Sequence, residues 1–354
     1  MKKLKFLLTV GLIPLYILIN YITPENLFIE KYYSNQFYPF ISEKLRFLTG
    51  HINIPLGDVF YLVLVIVVFY LIIFRGKSVK VKVLNLGPLL FILIFIFYIF
   101  WGLNYKRITI KNHLGVENRF EKKELLKFTE ELIDKINKNH ISLFLADSIK
   151  PENPYSFDEN IIKSHENAEK LKTIFKDDIG IYNYKRKSVK KSLFSFPLTF
   201  MGFSGYINPF TNEANINYKI PPTSLTFVIN HEIAHQLGIA SEKDANFISY
   251  IMLINSKDKY HNFCAMSYAL RLCLNEISKI DHNNYKILIK RVNKGIIKDY
   301  IEINKFWEKF EGKIENISKK TYDIYLKQNN IKSGIKNYNE SISLILNYNK
   351  LIND

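Results

Sequence analysis

His231-Glu232-Ile233-Ala234-His235 sets two imidazoles four residues apart with a carboxylate beside the first. On a helix, positions four apart share one face, so His231 and His235 can hold a single Zn2+ while Glu232 points towards a metal-bound water. That is the equipment of a zinc-dependent hydrolase. The motif is short, so its flanks matter. From Leu225 to Leu237 only Glu232 bears a full charge, the pattern of a helix buried beneath a site. Thr223 and Ser224, after Pro221-Pro222, are N-cap candidates, and Gly238 is a natural stop.

A catalytic zinc needs a third protein ligand and an open position for water. Ile239 to Ile248 reads as a tight turn into a second helix. Ser241 and Asp244 fit a capping box, which occupies Asp244 and leaves Glu242 as the preferred third ligand. Asp244 and His261 are the alternatives. An oxyanion stabiliser is normally a Tyr, His or Arg, and Tyr268, His261 and Tyr338 are the candidates.

These residues resemble the gluzincin metallopeptidases, in which HExxH is followed by a helix carrying a third, glutamate ligand in an E-x-x-A-D type motif. The corresponding stretch is Glu242-Lys243-Asp244-Ala245-Asn246, with Asn in the last place. The third histidine of a metzincin would fall on Ser241, which argues against that group. More of the chain is similar to a family of bacterial membrane proteins of unknown function within the zincin-like peptidase clan. That resemblance runs through Trp101-Gly102-Leu103-Asn104-Tyr105, the stretch Gly205 to Asn215, His231 to Gln236, Tyr325-Leu326-Lys327, and Gly334 to Tyr338. It implies a membrane-bound zincin and names no substrate.

The elements that must position this chemistry begin with apolar runs. Of 354 residues 48% are hydrophobic, and no charge occurs from Phe6 to Pro24, Val59 to Phe74 or Val83 to Tyr105. Each run approaches the roughly 20 residues that cross a bilayer, which predicts transmembrane helices at about 6–22, 58–74 and 85–104. Asn20 to Pro24 lacks the small residues of a signal-peptide cleavage site, so the first is expected to stay as an anchor. Lys2, Lys3 and Lys5, with Arg75, Lys77, Lys80 and Lys82, place those ends in the cytoplasm. The expected organisation is a membrane anchor over 1–105 and an extracytoplasmic zincin-like domain over 106–354, in a bacterial inner membrane.

A net charge of +16 is spread through the chain without a recognised nucleic-acid motif, so the expected partners are the lipid bilayer and a peptide or protein substrate, not nucleic acid. Cys264 and Cys273 fall in one expected helix, nine residues and about 13 Å apart, too far to bridge.

Apolar residues at three-to-four spacing predict helices over Glu121 to His140 and Asp158 to Lys176, and later over Ile303 to Ile317 and Ser341 to Leu351. In Glu213 to Ile220, Ala214, Ile216, Tyr218 and Ile220 alternate with polar residues, the mark of a half-buried strand. In zincins the strand in that place edges the cleft, which makes Asn215 and Asn217 candidate substrate contacts. The expected fold is therefore α+β and mainly helical: three transmembrane helices, then a zincin-like metallopeptidase domain with a small sheet. The expected cofactor is Zn2+ on His231, His235 and Glu242, with Glu232 as general base. The competing expectation is a non-catalytic zinc-binding envelope protein, a sensor or assembly partner, with His261 closing a four-ligand site.

Overall fold

The computed structural model describes residues 2–76, 78–117, 119–175, 184–329 and 338–352. Helix α1 (Lys2–Tyr21) leads into a π-helical segment (Ile29–Phe37), α2 (Tyr38–Gly50), α3 (Leu56–Ile73), α4 (Val79–Phe100) and a 3-10 turn (Gly102–Lys106). Of these, α1, α3 and α4 are long and apolar enough to cross a membrane. The third ends at Phe100, short of the expected 104, because Trp101 leaves the helical region (φ −151°, ψ −52°) and starts the 3-10 turn.

The remaining helices are α5 (Ile110–Leu114), α6 (Lys122–Phe144), α7 (Phe157–Glu169), α8 (Leu171–Phe175), α9 (Ser195–Met201), α10 (Pro222–Gln236), α11 (Glu242–Ile254), α12 (Lys259–Ile280), α13 (His282–Arg291), α14 (Lys294–Glu308), α15 (Lys313–Gln328) and α16 (Tyr338–Leu351). Capping boxes of Glu121 with Glu124 and Ser156 with Glu159 start α6 and α7. The helix expected over 303–317 is two helices, α14 and α15, with Gly312 between them as the N-cap of the second. The helix expected over 158–176 breaks at Lys170 into α7 and α8. Cys264 and Cys273 both lie in α12, buried and free.

The main core gathers α6, α7, α10, α11, α12 and α16. In α10 the four-residue spacing works twice on opposite faces. Ile229, Ile233 and Leu237 are fully buried in the core, while His231 and His235 face the other way. Three such aliphatics contribute about 1.5–3 kcal/mol each, enough to hold a helix whose other face carries imidazoles and a carboxylate.

Strands β1 (Val189–Lys191), β2 (Gly205–Ile207) and β3 (Ala214–Ile216) form one sheet in the order β1-β3-β2. β3 runs parallel to β1 and antiparallel to β2, with Tyr206 opposite Asn215. The expected half-buried strand over 213–220 is thus three residues long and central. Ala214, Asn215 and Ile216 are all fully buried, because both faces of the sheet are covered.

Residues between the first two membrane-length helices are built into the body of the protein. Tyr38 is fully buried, and its hydroxyl donates to the Gln236 carbonyl at 3.1 Å. Arg46, 1% exposed, donates to the Gln236 carbonyl (3.1 Å), Asn212 Oδ1 (2.6 Å) and the Arg186 carbonyl (2.7 Å). Glu30 accepts from Arg107, 3.0 Å, and from the Ile108 N–H, 2.9 Å, while Arg107 also donates to the Gly238 carbonyl. Burial works against the Glu30 charge, but His113 and Arg107 overcome it and hold this carboxyl down to about 2. These contacts fix the C-terminal end of α10 to the segment between α1 and α3.

Candidate metal centre

α10 starts at Pro222, whose missing N–H costs nothing at a first helical position, with no side-chain cap. Thr223 is therefore not the N-cap; its hydroxyl donates to Asp299 Oδ1 at 2.8 Å. Gly238, at φ +81°, closes the helix, its N–H bonded to the His235 carbonyl at 2.8 Å and the Ile239 N–H to the Ala234 carbonyl at 3.2 Å. This turn reverses the chain so that α11 begins beside the second turn from the end of α10.

The reversal brings Glu242 onto the two histidines. Glu242 Oε2 lies 3.2 Å from His231 Nε2, and Oε1 lies 3.6 Å from His235 Nε2. One donor atom from each of the three residues falls within 4.8 Å of the others. Donors about 2.0–2.1 Å from a tetrahedral centre stand roughly 3.3 Å apart, so the three fit a divalent ion such as zinc. His235 Nδ1 sits 2.7 Å from the Ile239 carbonyl, which sets the tautomer and leaves Nε2 a lone pair for a metal. Trp101 meets the same ring edge-on, at 6.0 Å.

Of the sequence candidates for third ligand, Glu242 joins the cluster and the alternatives do not. Asp244 is buried and accepts the Ile110 N–H at 3.4 Å. The expected capping box is absent: Ser241 is the N-cap of α11 without a side-chain bond, because Asp244 turns towards α5. His261 is fully buried, its Nδ1 2.8 Å from Asn167 Nδ2, outside the cluster.

Glu232, 3% exposed, keeps Oε2 buried with no hydrogen-bond partner. Burial pushes its carboxyl up to about 8, with His231 opposing and Glu242 adding to the rise. Burial lowers His235, against the pull of Glu242. For Glu242 burial acts upward, but the two histidines and the Tyr322 hydroxyl outweigh it and hold the group charged.

The cluster stands in the wall of a cavity of about 1080 Å3. β2, the edge strand, lines it, and its outer edge pairs with no strand among the described residues. Asn215 and Asn217 do not reach it: both are fully buried, Asn217 donating to Thr199 Oγ1 (2.9 Å) and the Phe203 carbonyl (3.0 Å). The cleft edge expected of β3 belongs to β2, because β3 is flanked on both sides. Tyr268 lines the cavity and stacks on Phe227, centroids 3.7 Å apart. The Tyr338 side chain and Gly334 to Asn337 lie outside the described residues.

Tyr322, on α15, escapes the sequence reading. Its hydroxyl donates to Glu242 Oε1, and its ring lines the cavity. The signal available was its place one turn before Tyr325-Leu326-Lys327.

Fold and site together define a mainly helical protein with three membrane-length helices and a two-histidine, one-glutamate cluster able to hold a metal. The chain belongs to the family described as a protein of unknown function (DUF3810), which matches residues 33–346. No curated protein and no solved structure matches it.

Proposed function

We propose that this protein is a membrane-anchored zinc metallopeptidase of the gluzincin kind, with its site on the extracytoplasmic side. The observation that carries this reading is the convergence of His231, His235 and Glu242, from two successive helices, beside a buried Glu232 in a cavity wall.

When bound, zinc supplies a water that ionises near neutral pH and a positive centre for the scissile carbonyl. A cation held by His231, His235 and Glu242 would offset the burial that raises the Glu232 carboxyl, leaving it ionised so that Oε2, which no other group occupies, could take a proton from the bound water and deliver it to the leaving amine. The outer edge of β2, which pairs with no strand among the described residues, offers backbone donors and acceptors to an extended peptide. Tyr322 and the Ile239 carbonyl hold Glu242 and His235 in place. Three spans starting in the cytoplasm put everything after α4 outside, in agreement with the basic residues at the first two cytoplasmic ends.

The test is zinc content and peptide hydrolysis of detergent-purified protein beside His231→Ala and Glu232→Gln. The expected result is about one zinc per chain, lost in His231→Ala and kept in Glu232→Gln, with hydrolysis lost in both. Turnover retained by Glu232→Gln would overturn the assignment of the base, and absence of zinc from reconstituted protein would overturn the metal site.

A further inference from the structure

One cavity joins the metal-site residues to the membrane-length helices. His231 and Glu232 stand in its wall together with Tyr61 of α3 and Leu93, Ile94 and Phe97 of α4. Leu93 lies seven residues before Phe100, the last of α4, and Tyr61 five after Leu56, the first of α3. At 1.5 Å per residue the cavity descends alongside these helices by about 10 Å and 7 Å from the ends nearest the site. With α3 and α4 read as membrane spans, the lower wall lies at the depth of the hydrocarbon layer, while Trp101, the residue that follows α4, meets the His235 ring at 6.0 Å and so puts the cluster level with the helix ends.

Such a chamber has two unlike ends, and a ligand that fills both must be equally unlike. Leu93, Ile94 and Phe97 offer no side-chain donor or acceptor, and of the four lower-wall residues named only Tyr61 carries a polar group, one hydroxyl. A peptide backbone pushed between them would leave N–H and C=O groups unsatisfied, at several kcal/mol each. A hydrocarbon chain carries no such groups and leaves the surrounding lipid for the apolar wall at little cost. The upper end, with β2 and Glu232, is where a peptide bond would lie.

We infer that the lower half of the cavity is a binding site for a long acyl chain, so that the enzyme's substrates are peptides anchored in the bilayer by a lipid group. The assignment of substrate rests on the peptidase reading; the chain-binding site itself does not. The structure supplies a built-in reporter, because Trp101 lines the same cavity and the only other tryptophan, Trp307, lies on α14.

The experiment uses the full chain with Trp307→Phe, in vesicles of unbrominated phosphatidylcholine. The probe is a short peptide acylated with a dibromostearoyl group, at low mole fraction. Saturable quenching of Trp101, competed by the stearoyl peptide and exceeding that from dibromostearoyl phosphatidylcholine at equal mole fraction, is the expected result. Leu93→Phe with Ile94→Phe, both at partly exposed positions, should weaken the competition roughly tenfold. Quenching no greater than from the bromolipid, or competition by an unacylated transmembrane peptide as good as by the stearoyl peptide, would overturn the inference. Hydrolysis of free peptides without specific quenching would remove the acyl site and leave the peptidase standing; specific quenching without hydrolysis would do the reverse.

Discussion

A Cβ placed on Gly205 would lie 2.8 Å from Glu232 Oε1 and 3.0 Å from its Cγ, so the edge strand and the candidate base touch through the one side chain that is missing. The contact sets how close a strand-bound peptide can come to the carboxylate. It also restricts where that carboxylate can move, since Glu232 is buried on its other sides.

Gly205→Ala should displace Glu232 by a fraction of an ångström while leaving the three candidate metal ligands alone. The expected outcome is unchanged zinc stoichiometry with kcat/KM lower by about a hundredfold, the size of loss that misplacement of a reacting group produces. Metal analysis and peptide kinetics on one preparation check both halves.

Tyr322→Phe removes the hydroxyl that donates to Glu242 Oε1 and keeps the ring in the cavity wall. Zinc affinity should fall roughly 10–100-fold, read by competition against a chelator of known strength. An unchanged affinity would mean that Glu242 holds its position without the tyrosine.

Glu213 closes the start of α3, its carboxylate accepting the Leu56 N–H at 3.1 Å and the Gly57 N–H as well. Glu213→Ala takes the acceptor from the Leu56 and Gly57 N–H groups and from the Thr211 hydroxyl and should cost about 2–3 kcal/mol, seen as a lower thermal midpoint in detergent. Glu213→Gln, which keeps an acceptor oxygen, should recover most of it.

Asp299, which accepts from Thr223 in the first turn of α10, predicts a pH effect outside the candidate metal cluster. Burial pushes its carboxyl up to about 6, with Thr223 opposing. A carboxyl raised above its unfolded value near 3.9 stabilises the fold fully below that value and loses the contribution as pH rises through about 6. Asp299→Asn should therefore gain stability relative to the unmodified protein between pH 4 and 7, by on the order of 2 kcal/mol. A difference in thermal midpoint that stays flat across that range would refute the buried charge.

The local parts of this architecture were legible in the sequence. Four-residue spacing marks both faces of α10, Gly238 marks its end, and the uncharged runs mark the membrane-length helices within a few residues. Glu242 does come to lie beside the two histidines, but the capping box that pointed to it does not form, so its position follows from the tight turn at Gly238 instead. What periodicity could not show was pairing at long range. Three-residue strands carry too little pattern to reveal which is central, so the sequence points to β3 for the edge position that β2 occupies. Likewise Tyr322 lies 80 residues from the carboxylate it touches, and nothing in α15 alone distinguishes it from the other tyrosines.

Tyr38 and Arg46 acquire a further meaning when the order of synthesis is considered. Both emerge early, yet their partners Arg186, Asn212 and Gln236 are made 140 or more residues later. The early segment is thus made before the motif helix that packs on it, and the last turn of α10 is completed against residues that precede it by 190 positions or more. A chain begun at Lys106 would lack those residues, with the Gln236 carbonyl and the Asn212 amide stripped of their partners. The segment between α1 and α3 is as much a part of the site's foundation as the helices that carry the motif.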